Sequence, residues 1–216
     1  MDVLDRLRCR AKRYPIARSL HKLVLRLLHP PPLGLKHFGE GSILRRPRHV
    51  DGNGFISIGA RTSIQHHAWL SATTDYAGDS FLPEIAIGND VYIGDYSFIV
   101  ATNRVIIEDG CVLSNHVYIT DSGHGVEPGK GPIMRQKLFS KGEVRIGRET
   151  FLGYRVCVMP GVTLGKHCVV GANAVVTKSF PAYSMLAGVP AQLVKRYSLT
   201  QKEWIDCKTP VAENES

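Results

Sequence analysis

The chain has 216 residues, a formal net charge of +8, 21 glycines and five cysteines, at 9, 111, 157, 168 and 207. That length suits one domain with a short appendage, and the cysteines form no CxxC pair, so they read as packing thiols in a reducing, cytoplasmic setting rather than as a disulfide set. No apolar run reaches the roughly 18–20 residues that cross a bilayer, and Asp2 and Asp5 precede any apolar run, which argues against a signal peptide.

The charge is uneven. Residues 1–50 hold 12 Lys and Arg against 3 acidic residues, whereas the remainder holds 15 against 16. The basic character therefore belongs to an N-terminal arm, residues 1–32. Within residues 1–28 the apolar Ile16, Leu20, Leu23, Val24, Leu27 and Leu28 share one helical face. Two roles fit such a helix. It can lie on an anionic membrane surface, or it can cover the open end of a repeat stack or a subunit interface. Nucleic acid is not expected as a partner, since the cations lack interleaved aromatics and no binding motif accompanies them.

Residues 33–55 read as an irregular lead-in. A step of six then appears: Ile58, Ile64, Leu70; Ile87, Ile93, Ile99; Ile107, Leu113, Ile119; Ile146, Leu152, Val158, Leu164, Val170, Val176. Small or β-branched residues follow four places on: Thr150, Val156, Val162, Cys168, Ala174. Glycine follows several marks directly, at Gly147, Gly153, Gly165 and Gly171, where it is expected to allow a turn that a Cβ would crowd. Period six is neither helical nor simple-strand periodicity. It is the signature of a parallel β-helix, predicted over 33–196. Two loops interrupt it, 71–84 and 120–143, and a rigid scaffold's loops are where function tends to sit. Lys195-Arg196 can begin a helix, and 197–216 reads as a tail that frays from 205 on.

The repeats, the long loop and the ending Ala187-Gly188-Val189-Pro190-Ala191 resemble the hexapeptide-repeat acyltransferases, nearest to the sugar O-acetyltransferases. The likeness covers roughly residues 55–195. It implies a left-handed β-helix, a homotrimer, and acetyl-CoA held between subunits with no metal. The family's Asp-His-Asn-His-Gly context matches Asp121-Ser122-Gly123-His124-Gly125, with Ser122 in place of the first histidine. The resemblance thus makes His124 the catalytic base, and Asp121 either orients its ring or caps a turn. It also suggests a backbone amide near Gly153 as oxyanion donor. It runs the coenzyme past Gly153, Tyr154, Gly171 and Ala172, then Thr177 and Lys178, with Lys195 and Arg196 near the phosphates. For the acceptor, Asn103, His116 and Tyr118 are the candidates, with Tyr76 among the loop aromatics that suit a sugar face. His66 and His67 read as surface residues. The spacing of 66/67, 116 and 124 does not match the zinc-binding carbonic anhydrases of this scaffold.

The function expected is O-acetylation of a sugar hydroxyl in a polysaccharide or lipopolysaccharide precursor. An N-acetyltransferase of a nucleotide-linked amino sugar and a non-catalytic β-helix scaffold are the alternatives.

Overall fold

In the computed structural model, Val24 and residues 33–207 are described. The arm assigned to residues 1–32 therefore lies, Val24 apart, outside the described residues. Three parallel sheets make the faces of a prism, and each turn of chain contributes one short strand to each face in order. The first face holds His37–Phe38, Ile56–Ile58, Glu84–Ile87, Arg104–Ile107, Val144–Ile146 and Thr163–Leu164. The second begins with Ile43–Leu44 and the third with His49–Asp51. The six-step marks align across coils. Ile58 pairs with Ile87, Ile87 with Ile107, Ile107 with Ile146 and Ile146 with Leu164. Each of these points into the prism and is almost wholly buried, a side chain's burial being worth about 1.5–3 kcal/mol.

The stack starts one coil earlier than its clearest marks suggest. Phe38, Leu44 and Val50 keep the step of six and pair with the next coil. The cations Arg45, Arg46 and Arg48 between them hide the pattern in the sequence.

The corner residues behave as the repeat requires. Thr62, Ala68, Cys111, Val156, Cys168 and Ala174 are buried. Where one is polar its hydroxyl is satisfied, as when Thr62 Oγ1 donates to Gly88 O at 2.7 Å. Burial pushes the Cys111 thiol up to about 11 and raises that of Cys168. Cys157 departs from the expectation of an interior thiol: it precedes the buried Val158 on its strand and so faces outward.

The glycines after the marks have a different reason from the one expected. None of Gly147, Gly153, Gly165 and Gly171 has positive φ. A Cβ on Gly147 would instead stand 2.6 Å from Gly165 C and Lys166 N in the next coil. Gly147, Gly153 and Gly165 permit close approach of backbones, whereas a Cβ on Gly171 would meet only ordinary contacts, the nearest Leu186 O at 3.4 Å. The left-handed corner positions are filled by other residues, His67, Tyr96, His116, Arg155 and Asn173, with φ of 56–60°. That conformation costs about 1–2 kcal/mol per residue. Each such residue donates its N–H to the preceding coil, for example His116 N to Asp95 O at 2.8 Å.

Residues 184–206 are largely sheet, where the sequence predicts a tail from 197 or a helix from Lys195, and residues 208–216 lie outside the described ones. Ser184–Ala187 extends the second face, and the chain then reverses into the antiparallel pair Gln192–Ser198 and Glu203–Asp206. Lys195 and Arg196 belong to this pair, and Lys195 Nζ lies 3.0 Å from Asp206 Oδ1. Tyr197 and Trp204 pack edge to face with centroids 5.4 Å apart, which favours pairing over fraying. The strand runs through the expected domain boundary at 196/197.

Gly147→Ala should cost about 1–3 kcal/mol in chemical denaturation, because the added methyl meets backbone that cannot yield. Gly54→Ala, with open space around its Cβ, should stay within about 0.5 kcal/mol.

Candidate active site

Both long excursions leave the prism at the same corner, the one after the third face. The first follows the strand Trp69–Ala72, the second the strand Tyr118–Thr120. One coil lies between these strands, so the excursions project side by side.

The first is a tight hairpin in which Asp75–Tyr76 pairs with Asp79–Ser80 across Ala77 and Gly78. Both central residues have positive φ, 50° and 85°, as a two-residue hairpin turn demands. Phe81 N donates to Thr74 O at 2.7 Å and closes its base.

The second excursion is a ribbon of Ser122–His124 against Leu138–Ser140 with a short 3-10 turn, Ile133–Arg135, at its far side. Gln136 holds it from within. Its Oε1 accepts from Glu127 N at 3.0 Å, and its Nε2 donates to Glu127 O at 3.1 Å and Gly131 O at 3.0 Å. A Cβ on Gly125 would meet Gln136 Cβ at 2.9 Å, so this crossing also needs a glycine.

The excursions are tied to each other. Lys137 Nζ meets Asp79 Oδ1 at 2.6 Å. Tyr76 Oη donates to Met134 O at 3.0 Å and lies 3.2 Å from His124 Nδ1, the rings meeting edge to face at 5.3 Å. His124 is exposed, and its partner is Tyr76, a residue singled out from sequence only as a loop aromatic.

Asp121 does not orient His124. Its carboxylate is fully buried and turned to the intervening corner. It accepts from the backbone amides of Thr102 at 2.9 Å, Asn103 at 2.8 Å and Arg104, and lies 3.3 Å from Thr102 Oγ1. Of its two candidate roles, turn-capping is the one its geometry has. The corner it caps is where the six-residue step slips by two between Ile99 and Ile107. Asn103 stands there with an exposed side chain, one coil below His124.

The remaining candidates divide between prism edges. His116 sits at the other end of the Tyr118–Thr120 strand from His124, stacked on Tyr96 at 5.1 Å and edge-on to Tyr154 at 5.4 Å. His67 joins the same column, stacked on Tyr96 at 4.7 Å. Tyr118 lies on the outer face against Phe98, its hydroxyl pKa raised by burial. Gly153, Tyr154, Gly171 and Ala172 follow marks of the second face and share the edge of His116. The Gly153 amide donates to Val170 O at 2.9 Å, so this N–H is spent between coils. Thr177 and Lys178 follow the third face and lie at the His124 edge, with Lys178 Nζ 3.4 Å from Gln192 Oε1. Lys195 and Arg196 are on the terminal antiparallel strands. One chain therefore brings Tyr76, Asn103 and His124 to one corner and leaves the Gly153–Ala172 set on another.

A β-helix with a histidine held on its longest excursion defines a class, and comparisons with known proteins agree with it. The model "Hexapeptide repeat of succinyl-transferase" matches residues 84–121 and 143–178. The chain is 30% identical over 200 residues to WbbJ of Escherichia coli strain K12, provisionally named a lipopolysaccharide biosynthesis O-acetyl transferase, covering 90% of this chain and 96% of that one. It is 27% identical over 147 residues to the galactoside O-acetyltransferase of the same strain, covering 66% and 67%. Among solved structures it resembles a point mutant of AntD, an N-acyltransferase from Bacillus cereus, in complex with dTDP-4-amino-4,6-dideoxyglucose and coenzyme A. There the TM-score is 0.64, with 18% identity over 78% of this chain and 88% of that one. The chain belongs to the hexapeptide-repeat acyltransferase family.

Asp121→Ala would leave three backbone N–H groups unpartnered in a buried corner. It should cost about 2–4 kcal/mol in denaturant unfolding, a loss that a purely catalytic residue would not show.

Proposed function

We propose that this protein is an acetyl-CoA-dependent O-acetyltransferase that modifies a sugar hydroxyl of a glycan, polysaccharide or lipopolysaccharide precursor. The observation that carries this reading is the exposed His124 imidazole, held by one ring nitrogen at the corner where two excursions meet. End-to-end similarity to a protein named for lipopolysaccharide O-acetylation supports the acceptor class.

In this reading His124 removes the proton of the acceptor hydroxyl as its oxygen attacks the thioester carbonyl. The oxygen–carbon bond forms, the tetrahedral centre collapses with cleavage of the carbon–sulfur bond, and the imidazolium returns its proton to the leaving sulfur. Transfer is direct. The thiols of Cys111 and Cys168 are buried with raised pKa values, the reverse of an activated nucleophile. Asn103, exposed at the same corner, would hydrogen-bond the acceptor, while Tyr118 and His116 lie on the adjoining outer face and edge. The coenzyme would pass Gly153, Tyr154, Gly171 and Ala172, then Thr177 and Lys178, with Lys195 and Arg196 for the phosphates. His124 and the Gly153–Ala172 set occupy different edges of one chain, which favours a homotrimer in which a neighbouring copy brings them together. The protein would work in the cytoplasm, with residues 1–28 either contacting the inner face of the membrane or packing on the trimer.

The similarity to AntD favours one second reading, N-acylation of a nucleotide-linked amino sugar at the same corner. Thiol release measured against a panel of hydroxyl and amino sugars separates the two.

His124→Ala should lower acetyl transfer by about 10²–10⁴-fold, with circular dichroism and oligomeric state unchanged. Near-normal turnover would remove His124 from the role of base.

A further inference from the structure

The contact between the two excursions contains a proton-counting constraint. Tyr76 Oη has one proton and two neighbours within hydrogen-bond distance, Met134 O at 3.0 Å and His124 Nδ1 at 3.2 Å, with Met134 Sδ further off at 3.7 Å. A carbonyl oxygen can only accept, so it must receive the hydroxyl proton if it is to be satisfied. Among the described residues the hydroxyl of Tyr76 is the donor that the Met134 carbonyl has. In the turn Ile133–Arg135 the carbonyls of Pro132 and Ile133 receive the amides of Arg135 and Gln136 at 2.9 and 3.0 Å. Met134 O is the next carbonyl along and turns outward to Tyr76. With its proton committed there, Tyr76 Oη faces His124 as an acceptor. Nδ1 then holds the ring proton, and Nε2 presents its lone pair outward.

We infer that Tyr76 is a positioning residue that fixes the neutral His124 ring in its Nδ1–H form, leaving Nε2 as the basic nitrogen. An unconstrained histidine favours the opposite form, with the proton on Nε2, so the ring needs a partner on Nδ1 to be basic at its outer atom. Tyr76 is itself held on a two-residue hairpin, and the Lys137–Asp79 pair at 2.6 Å latches that hairpin to the excursion carrying His124. The partner and the ring therefore come from segments 48 residues apart, fixed against each other.

The consequence for catalysis rests on the reading of His124 as base, whereas the proton's position does not. Both can be measured. Long-range proton–nitrogen correlation spectra of the intact protein labelled with ¹⁵N-histidine, recorded at alkaline pH, report which ring nitrogen is protonated. His124→Gln identifies the signal by its loss. The wild type should show Nδ1 protonated and Nε2 bare, and Tyr76→Phe should move the proton to Nε2. In turnover assays Tyr76→Phe should lower kcat by about 3–10-fold while KM for acetyl-CoA changes less than about 2-fold. A wild-type ring already protonated on Nε2, or a spectrum unmoved by Tyr76→Phe, overturns the inference whatever the kinetics. An Nδ1–H ring in the wild type together with normal turnover of His124→Ala would leave this placement standing and remove the base assignment instead.

Discussion

The backbone ladder between successive coils is the constraint on which the rest of this structure depends. Strands of the prism are two to four residues long, too short to persist alone. Each is held because the residue after a mark donates its N–H to the mark of the next coil, as in Gly88 N to Ile107 O at 2.8 Å and Gly147 N to Leu164 O at 2.8 Å. The glycines, the small corner residues and the left-handed turns all serve this spacing. Glycine is used where two backbones approach, and a left-handed His, Tyr or Arg where the chain must bend and still offer an N–H downward.

A ladder of this kind restricts where extra chain can go. Residues inserted within a strand would shift every mark beyond them off the stack, so insertions must leave at a corner. From Phe38 to Val176 every departure from the six-residue step falls at one edge. Two residues are added between Val50 and Ile58 and two between Ile99 and Ile107, and the two excursions leave between Leu70 and Ile87 and between Ile119 and Ile146. The other two edges stay regular. This concentration brings Tyr76 to His124, and it explains the buried Asp121: a corner lengthened by two residues exposes three amides to the interior, and one carboxylate from the coil above receives all three.

Much of this was legible in the sequence. The step of six identifies the interior residues and the β-helix. It also contains the meeting of the excursions, because each follows the third mark of its coil and therefore the same face. His124 could be singled out because its neighbours match a family motif. Other features were hidden for physical reasons. Arg45, Arg46 and Arg48 interleave the first coil's marks with charge, so the apolar period reads as loop. Asp121 beside His124 in sequence suggests a pair, but the backbone direction at a corner sends one side chain inward and the next but two outward. Tyr76 as the histidine's partner has no local signal, since a hydrogen bond between two insertions depends on their folded shapes rather than on the repeat. The reversal at the end was hidden because Lys195-Arg196 has no strand alternation. Its pairing comes from Tyr197 against Trp204 and Lys195 against Asp206.

The exposure of His124 sets one further requirement on any chemistry there. A base open to water competes with solvent for its acceptor, and the charges formed in acyl transfer are screened until water is displaced. One chain supplies His124, its partner Tyr76 and a rigid floor, but among the described residues the regular strands on either side of the corner provide no wall above it. The flat Gly153 to Ala172 edge of the same sequence is suited to be that wall, since small residues there leave room for a slender ligand between two surfaces. It cannot fold over onto its own His124, because both are fixed to one prism. Within the proposed reading the second wall therefore belongs to another copy. The period that makes one edge irregular and another flat would then build both halves of the site from one sequence.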